Sequence, residues 1–112
     1  MLDIDIEAVR GILFVRLNGV LDRQNTFKLN NEVTQLLKKI GIKNIVFNID
    51  GLESIDKYGV KALRNSFKIC QNNQGRSFLC TSKHETTLDK IKELKEVELV
   101  SDELAAANMI NS

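Results

Sequence analysis

The chain has 112 residues and a formal charge of +1, with 16 Lys+Arg against 15 Asp+Glu, and is 43% hydrophobic and 28% charged. That length fits one domain, residues 1–112, and that balance buries a core beneath a charged surface, which argues against a disordered tail, a stalk or a collagenous rod. Near neutrality removes the electrostatic case for nucleic acid, and 5 Phe, 1 Tyr and no Trp leave little for stacking bases, the Phe residues being expected in the core.

No apolar run approaches the roughly 20 residues of a membrane-spanning helix. The acidic start Met1-Leu2-Asp3-Ile4-Asp5 is the opposite of a signal peptide's basic opening, so the expected location is cytoplasmic, with no membrane insertion. One His and 2 Cys limit metal chemistry. Cys70 and Cys80 stand ten apart, without a Cys-x-x-Cys pair or a nearby His, and read as small buried hydrophobes; no metal and no cofactor are expected. His84 sits in the polar stretch Ser82-Lys83-His84-Glu85, with no Gly-x-Ser-x-Gly elbow to support a nucleophilic triad.

Ile4 and Ile6 alternate with acids, Arg10-Gly11 offers a tight turn, and Leu13, Val15 and Leu17 alternate in turn, which predicts an antiparallel hairpin. After Leu21-Asp22 the period becomes helical, with Leu29, Val33, Leu36, Leu37 and Ile40 on one face, Asn25 as N-cap and Gly41 as the stop. Residues 42–49 are β-branched and apolar on both parities, the pattern of a central strand covered on both sides, and residues 50–55 read as a connecting loop.

Asp56 opens a second helix with the stripe Val60, Leu63, Phe67 and Cys70, closed by Gly75. Residues 76–80 form a strand, residues 87–95 a short helix carrying Leu88, Ile91 and Leu94, and residues 98–100 allow a short strand. Ser101 caps a last helix, with Asp102 and Glu103 in its first turn where the helix dipole favours them. A hairpin feeding alternating helices and strands makes an α/β fold: a mixed β-sheet of about four to five strands with helices packed on it.

This order of elements, together with Asn18-Gly19-Val20-Leu21-Asp22, an apolar strand ending in Asp50, and Ile55-Asp56-Lys57-Tyr58-Gly59-Val60, resembles the STAS family, which includes the bacterial anti-sigma factor antagonists. The resemblance implies that Asp22 and Asp56 share a surface with the start of the second helix. It also implies that this surface binds an anti-sigma factor of the serine kinase type, which itself carries the nucleotide. In that family the kinase phosphorylates the second serine of Asp-Ser-Ser-Gly. Here Lys57 and Tyr58 stand in place of the two serines, so Tyr58 occupies the acceptor position and its modification is not expected.

The partner-binding candidates are therefore Asp22, Asp56, Lys57, Tyr58, Gly59 and Lys61. All but Asp22 have a plain structural alternative. Asp56 suits an N-cap; Gly59, costly inside a helix at ~1 kcal/mol relative to alanine, suits either tight packing or a close partner. Tyr58 suits a side chain lying over the sheet edge or an interface anchor. Lys57, Lys61, Arg64 and Lys68, at i, i+4, i+7 and i+11, form a cationic ridge that is either a solvated face or a contact for acids or phosphates.

No nucleophile, base and orienting group can be proposed together, which leaves a non-enzymatic protein-binding module. The alternative is a structural STAS subunit of a lipid-import ABC transporter or another scaffold, which needs no acceptor serine.

Overall fold

Arg10 and Gly11 both take left-handed backbone, with φ 51° and 80°. Two such residues make the turn whose twist matches that of paired strands. It joins β1 (Leu2–Val9) to β2 (Ile12–Leu21) in the hairpin that the alternation predicts, Val9 facing Ile12 and Leu2 facing Gly19. The computed structural model describes residues 1–82 and 97–111. The helix expected over residues 87–95 and the polar stretch at His84 lie outside the described residues.

A mixed sheet of five strands in sequential order carries the fold. Only β1 and β2 are antiparallel; β3 (Asn44–Ile55), β4 (Ser77–Cys80) and β5 (Glu98–Val100) each run parallel to the preceding neighbour. Parallel pairing needs a long crossover connection, and helices supply it between β2 and β3 and between β3 and β4. The helical segment after β2 comprises α1 (Thr26–Leu29), one π-helical stretch (Asn30–Thr34) and α2 (Gln35–Ile40), and Gly41 closes it in the left-handed conformation. Helix α3 (Lys57–Asn72) joins β3 to β4, and α4 (Glu103–Asn111) follows β5.

Strand alternation divides the core in two. Leu13, Val15 and Leu17 of β2 and Ile45, Phe47 and Ile49 of β3 point to one face, where Leu29, Val33 and Leu37 and then Leu63, Phe67 and Cys70 of α3 cover them. Phe47 and Phe67 meet edge to face at 5.5 Å between centroids, a favoured aromatic geometry. Ile12, Phe14, Val46, Phe78 and Cys80 point to the other face, where α4 brings Ala106. The central strand is covered on both sides, as its two apolar parities predict.

Several local expectations are corrected. Residues 50–55 are strand, because β2 continues beside them after a register shift and supplies ladder partners as far as Leu21 and Ile55. Ile40 and Phe27 are exposed, since Leu29, Val33 and Leu37 already fill the face toward the sheet. Helix α3 ends at Asn72, with Gln74 rather than Gly75 taking the left-handed turn at φ 64°. Gly75 answers a different need: a β-carbon there would lie 1.6 Å from the Lys43 carbonyl oxygen. In α4 the capping carboxylate is Asp102, whose Oδ1 accepts the Ala105 N–H at 2.8 Å. Ser101 precedes it.

Candidate functional site

Strand β2 ends in Leu21, and the chain must then turn upward into α1. Asn25 was expected to cap that helix, yet its side chain makes no cap bond. It folds back instead: Oδ1 accepts the Asp22 N–H at 2.9 Å and Nδ2 donates to the Val20 carbonyl at 2.6 Å. The loop's own amide and carbonyl thus outcompete the helix for this short polar side chain. Asp22 closes the same turn, its Oδ1 accepting the Gln24 N–H at 2.9 Å.

Asp56 is the joint between this loop and α3. Its Oδ1 accepts the Gly59 N–H at 2.9 Å, satisfying one of the amides a helix start leaves open. Its Oδ2 accepts the Arg23 N–H at 3.0 Å, and its own N–H donates to the Leu21 carbonyl at 3.2 Å. A single side chain therefore caps the helix and holds the β2–α1 loop against it. The segments containing Asp22 and Asp56, 34 residues apart in sequence, meet at one end of the sheet.

Gly59 is buried, and the geometry decides between its two readings. A β-carbon there would lie 2.7 Å from the Leu21 carbonyl oxygen and 2.7 Å from Ile55 Cγ1. Gly59 is a packing residue that lets α3 seat on the end of β2. An arginine at this position has no room, so substituting it cannot probe binding without disturbing the fold.

Lys57 and Tyr58 project outward. Tyr58 is 41% exposed, with the Arg23 guanidinium 5.5 Å and the Lys57 ammonium 5.3 Å from its ring centroid. Cations at this range are attracted to the negative ring face. Phe27, at 64% exposed, stands at the rim of a groove that also touches Tyr58, Lys61 and Asn65. On the other flank of α3 a second groove runs along Lys57, Val60, Lys61, Arg64 and Lys68. Arg23 and Phe27 were not among the sequence candidates. Phe27 could have been found, because it falls outside the spacing of Leu29, Val33 and Leu37; Arg23 had no signal in sequence.

The opposite face of the sheet holds a separate charged cluster. Arg16 donates to Glu103 through Nε at 2.9 Å and Nη2 at 2.8 Å, and to Asp5 and Glu7 at 2.9 and 3.1 Å. Asn48 Nδ2 adds a bond to Glu103 at 2.8 Å. These bonds hold the Glu103 carboxyl below the usual carboxylate range, Arg16 being the main cause, and raise the already high pKa of Arg16. Cys70 and Cys80 are buried, and burial pushes their thiols up to about 11 and about 12. Among the described residues no three His, Cys, Asp or Glu side chains converge as a metal site would require, and no helix is long and apolar enough to cross a membrane.

The end of the sheet around Asp56 is thus a fixed loop-to-helix joint bearing exposed aromatic and cationic side chains. The STAS domain family model matches residues 3–107. An anti-sigma F factor antagonist of Paenibacillus polymyxa is 25% identical over 79 residues, 70% of this chain and 68% of that protein. Among solved structures, an anti-sigma factor antagonist from Mycobacterium paratuberculosis superposes with a TM-score of 0.84 at 14% identity, covering 100% of this chain and 96% of that one. The anti-sigma factor antagonist SpoIIAA in its unphosphorylated form gives a TM-score of 0.80 at 19% identity, covering 98% and 99% of the two chains.

Proposed function

This chain belongs to the STAS domain family, and from that premise we propose that it is a non-enzymatic, cytoplasmic anti-sigma factor antagonist that binds an anti-sigma factor of the serine kinase type at the end of the sheet around Asp56. The contact residues are Asp22, Lys57, Tyr58 and Lys61, with Asp56 and Gly59 fixing the joint that presents them. The observation that carries the reading is the Asp56 carboxylate, which bonds the Gly59 and Arg23 amides at once and so unites the two segments on which the family resemblance rests. Such a protein works by competition, holding the anti-sigma factor in a state or at a site that excludes the sigma factor.

Tyr58 occupies the position where relatives of this type carry an acceptor serine. A phenol hydroxyl lies several ångströms further from the backbone than a serine hydroxyl, so a kinase site built around serine is out of register with it. The nearby serines do not replace it. Ser66 is buried, its Oγ 3.2 Å from Thr34 Oγ1, and Ser54 precedes the helix at the end of β3. Binding is therefore constitutive and set by concentration or by another signal.

The test is capture of partners from the native cell on the purified chain, followed by incubation with ATP and intact-mass measurement. The expected result is a histidine-kinase-like ATPase, a complex that persists and a mass that does not change. Capture of a transporter ATPase or permease instead would replace this reading with the scaffold alternative. A phosphate mapped to Tyr58, with release of the partner, would overturn constitutive binding.

A further inference from the structure

Four cations line one side of α3, and among the described residues none of them pairs with a carboxylate. Lys57, Lys61, Arg64 and Lys68 span three helical turns, about 16 Å of axis at ~1.5 Å per residue. They border a groove of about 690 Å³ with Val60 in its wall. Arg64 lines this groove, and its Nε is buried beneath the surface without a hydrogen bond. Buried donors normally find an acceptor. Two other arginines of the chain, Arg16 and Arg76, hold carboxylates at 2.7 to 3.1 Å.

A smaller groove of about 260 Å³ follows the other flank of α3 past Phe27 and Tyr58, and the two grooves share Lys61 and Asn65. The outer face of α3 is thus one continuous surface, with a row of cations along one side and two exposed rings at its upper end. We propose that this face docks an acidic amphipathic helix of a partner protein. Its carboxylates pair with Lys57, Lys61, Arg64 and Lys68, and one of its apolar side chains fills the space beside Phe27 and Tyr58.

The chemistry of the occupant follows from the spacing. Cations at intervals of 4, 3 and 4 residues match carboxylates at the same intervals on a second helix laid alongside. A single short row on a chain of net charge +1 is a poor match for a nucleic-acid backbone, which is bound through an extended basic surface. Exposed rings suit burial against a protein side chain. The proposal rests on the reading that a partner engages the start of α3, and it extends that contact down the helix to residues beyond the family motif.

The probe is a fluorescent 18-residue helical peptide with four glutamates spaced 4, 3 and 4 and one flanking leucine, compared by anisotropy at low salt with a peptide of the same composition and scrambled order. The facial peptide should bind at least tenfold more tightly than the scrambled one. Arg64→Gln combined with Lys68→Glu should weaken it at least tenfold, and Phe27→Ala several-fold, with unchanged circular dichroism. Lys68 is exposed, so Lys68→Glu alone keeps the test valid if the double variant folds poorly; it should weaken binding several-fold. Equal binding of both peptides, or binding indifferent to Lys68→Glu, overturns the proposal. Partner capture separates the two readings: capture lost with Tyr58→Ala but retained with the double variant overturns the docking surface and leaves the site at Asp56 standing.

Discussion

Between Gly59 and the Leu21 carbonyl there is room for a hydrogen but not for a methyl group, since a β-carbon would sit 2.7 Å from that oxygen. The oxygen cannot withdraw freely, because it accepts the Asp56 N–H at 3.2 Å. Alanine would gain the ~1 kcal/mol that glycine costs inside a helix, while overpacking costs about 1–3 kcal/mol. The clash wins because backbone from two elements must move. Gly59→Ala is expected to destabilise the protein by about 1–2 kcal/mol in urea unfolding; a midpoint equal to or above that of the parent chain would show that α3 is not seated by this contact. Asp56 makes the complementary case, a side chain whose value lies in the two amides it holds at once.

At the scale of elements, α4 is fastened to the sheet at its first turn. Its apolar contribution is small, with Ala106 fully buried but Leu104 and Met109 exposed. The Arg16–Glu103 fork and the Asn48 bond tie Glu103 to two central strands. Because the folded Glu103 carboxyl titrates below its usual value, this stabilisation is complete above the unfolded pKa of about 4.3 and is lost as pH falls through the lower folded value. Glu103→Gln should therefore cost about 1–3 kcal/mol at neutral pH, and its deficit in thermal midpoint should close as the pH is lowered from 5 toward about 3. A deficit constant across that range would mean that the carboxylate charge is not what fastens α4.

For the whole molecule, stability comes from two apolar layers on one sheet, and Cys70 and Cys80 belong one to each layer. Both thiols are free, buried and pushed up to about 11 and about 12, so at pH 8 they are neither nucleophilic nor reachable. The native protein should resist alkylation at pH 8 while the unfolded chain reacts fully. Melts with and without reductant should superimpose. Rapid native alkylation, or a midpoint that moves several degrees with reductant, would mean that the layers open or that a disulfide contributes.

The hairpin, the doubly covered strand at residues 45–47, the stripe of Leu63, Phe67 and Cys70 and the capping role of Asp56 were all legible in the sequence. Each depends on a local period or on hydrogen bonds a few residues away, and such patterns are written along the chain. The extension of β3 to Ile55 was not legible, because its ladder partners lie in β2 and only the register shift brings them alongside. Nor were the Arg23–Tyr58 contact, the exposure of Phe27 or the reason for Gly59. Those depend on how α3 seats against a loop more than thirty residues earlier, and the sequence names the residues while only tertiary packing sets the distances between them.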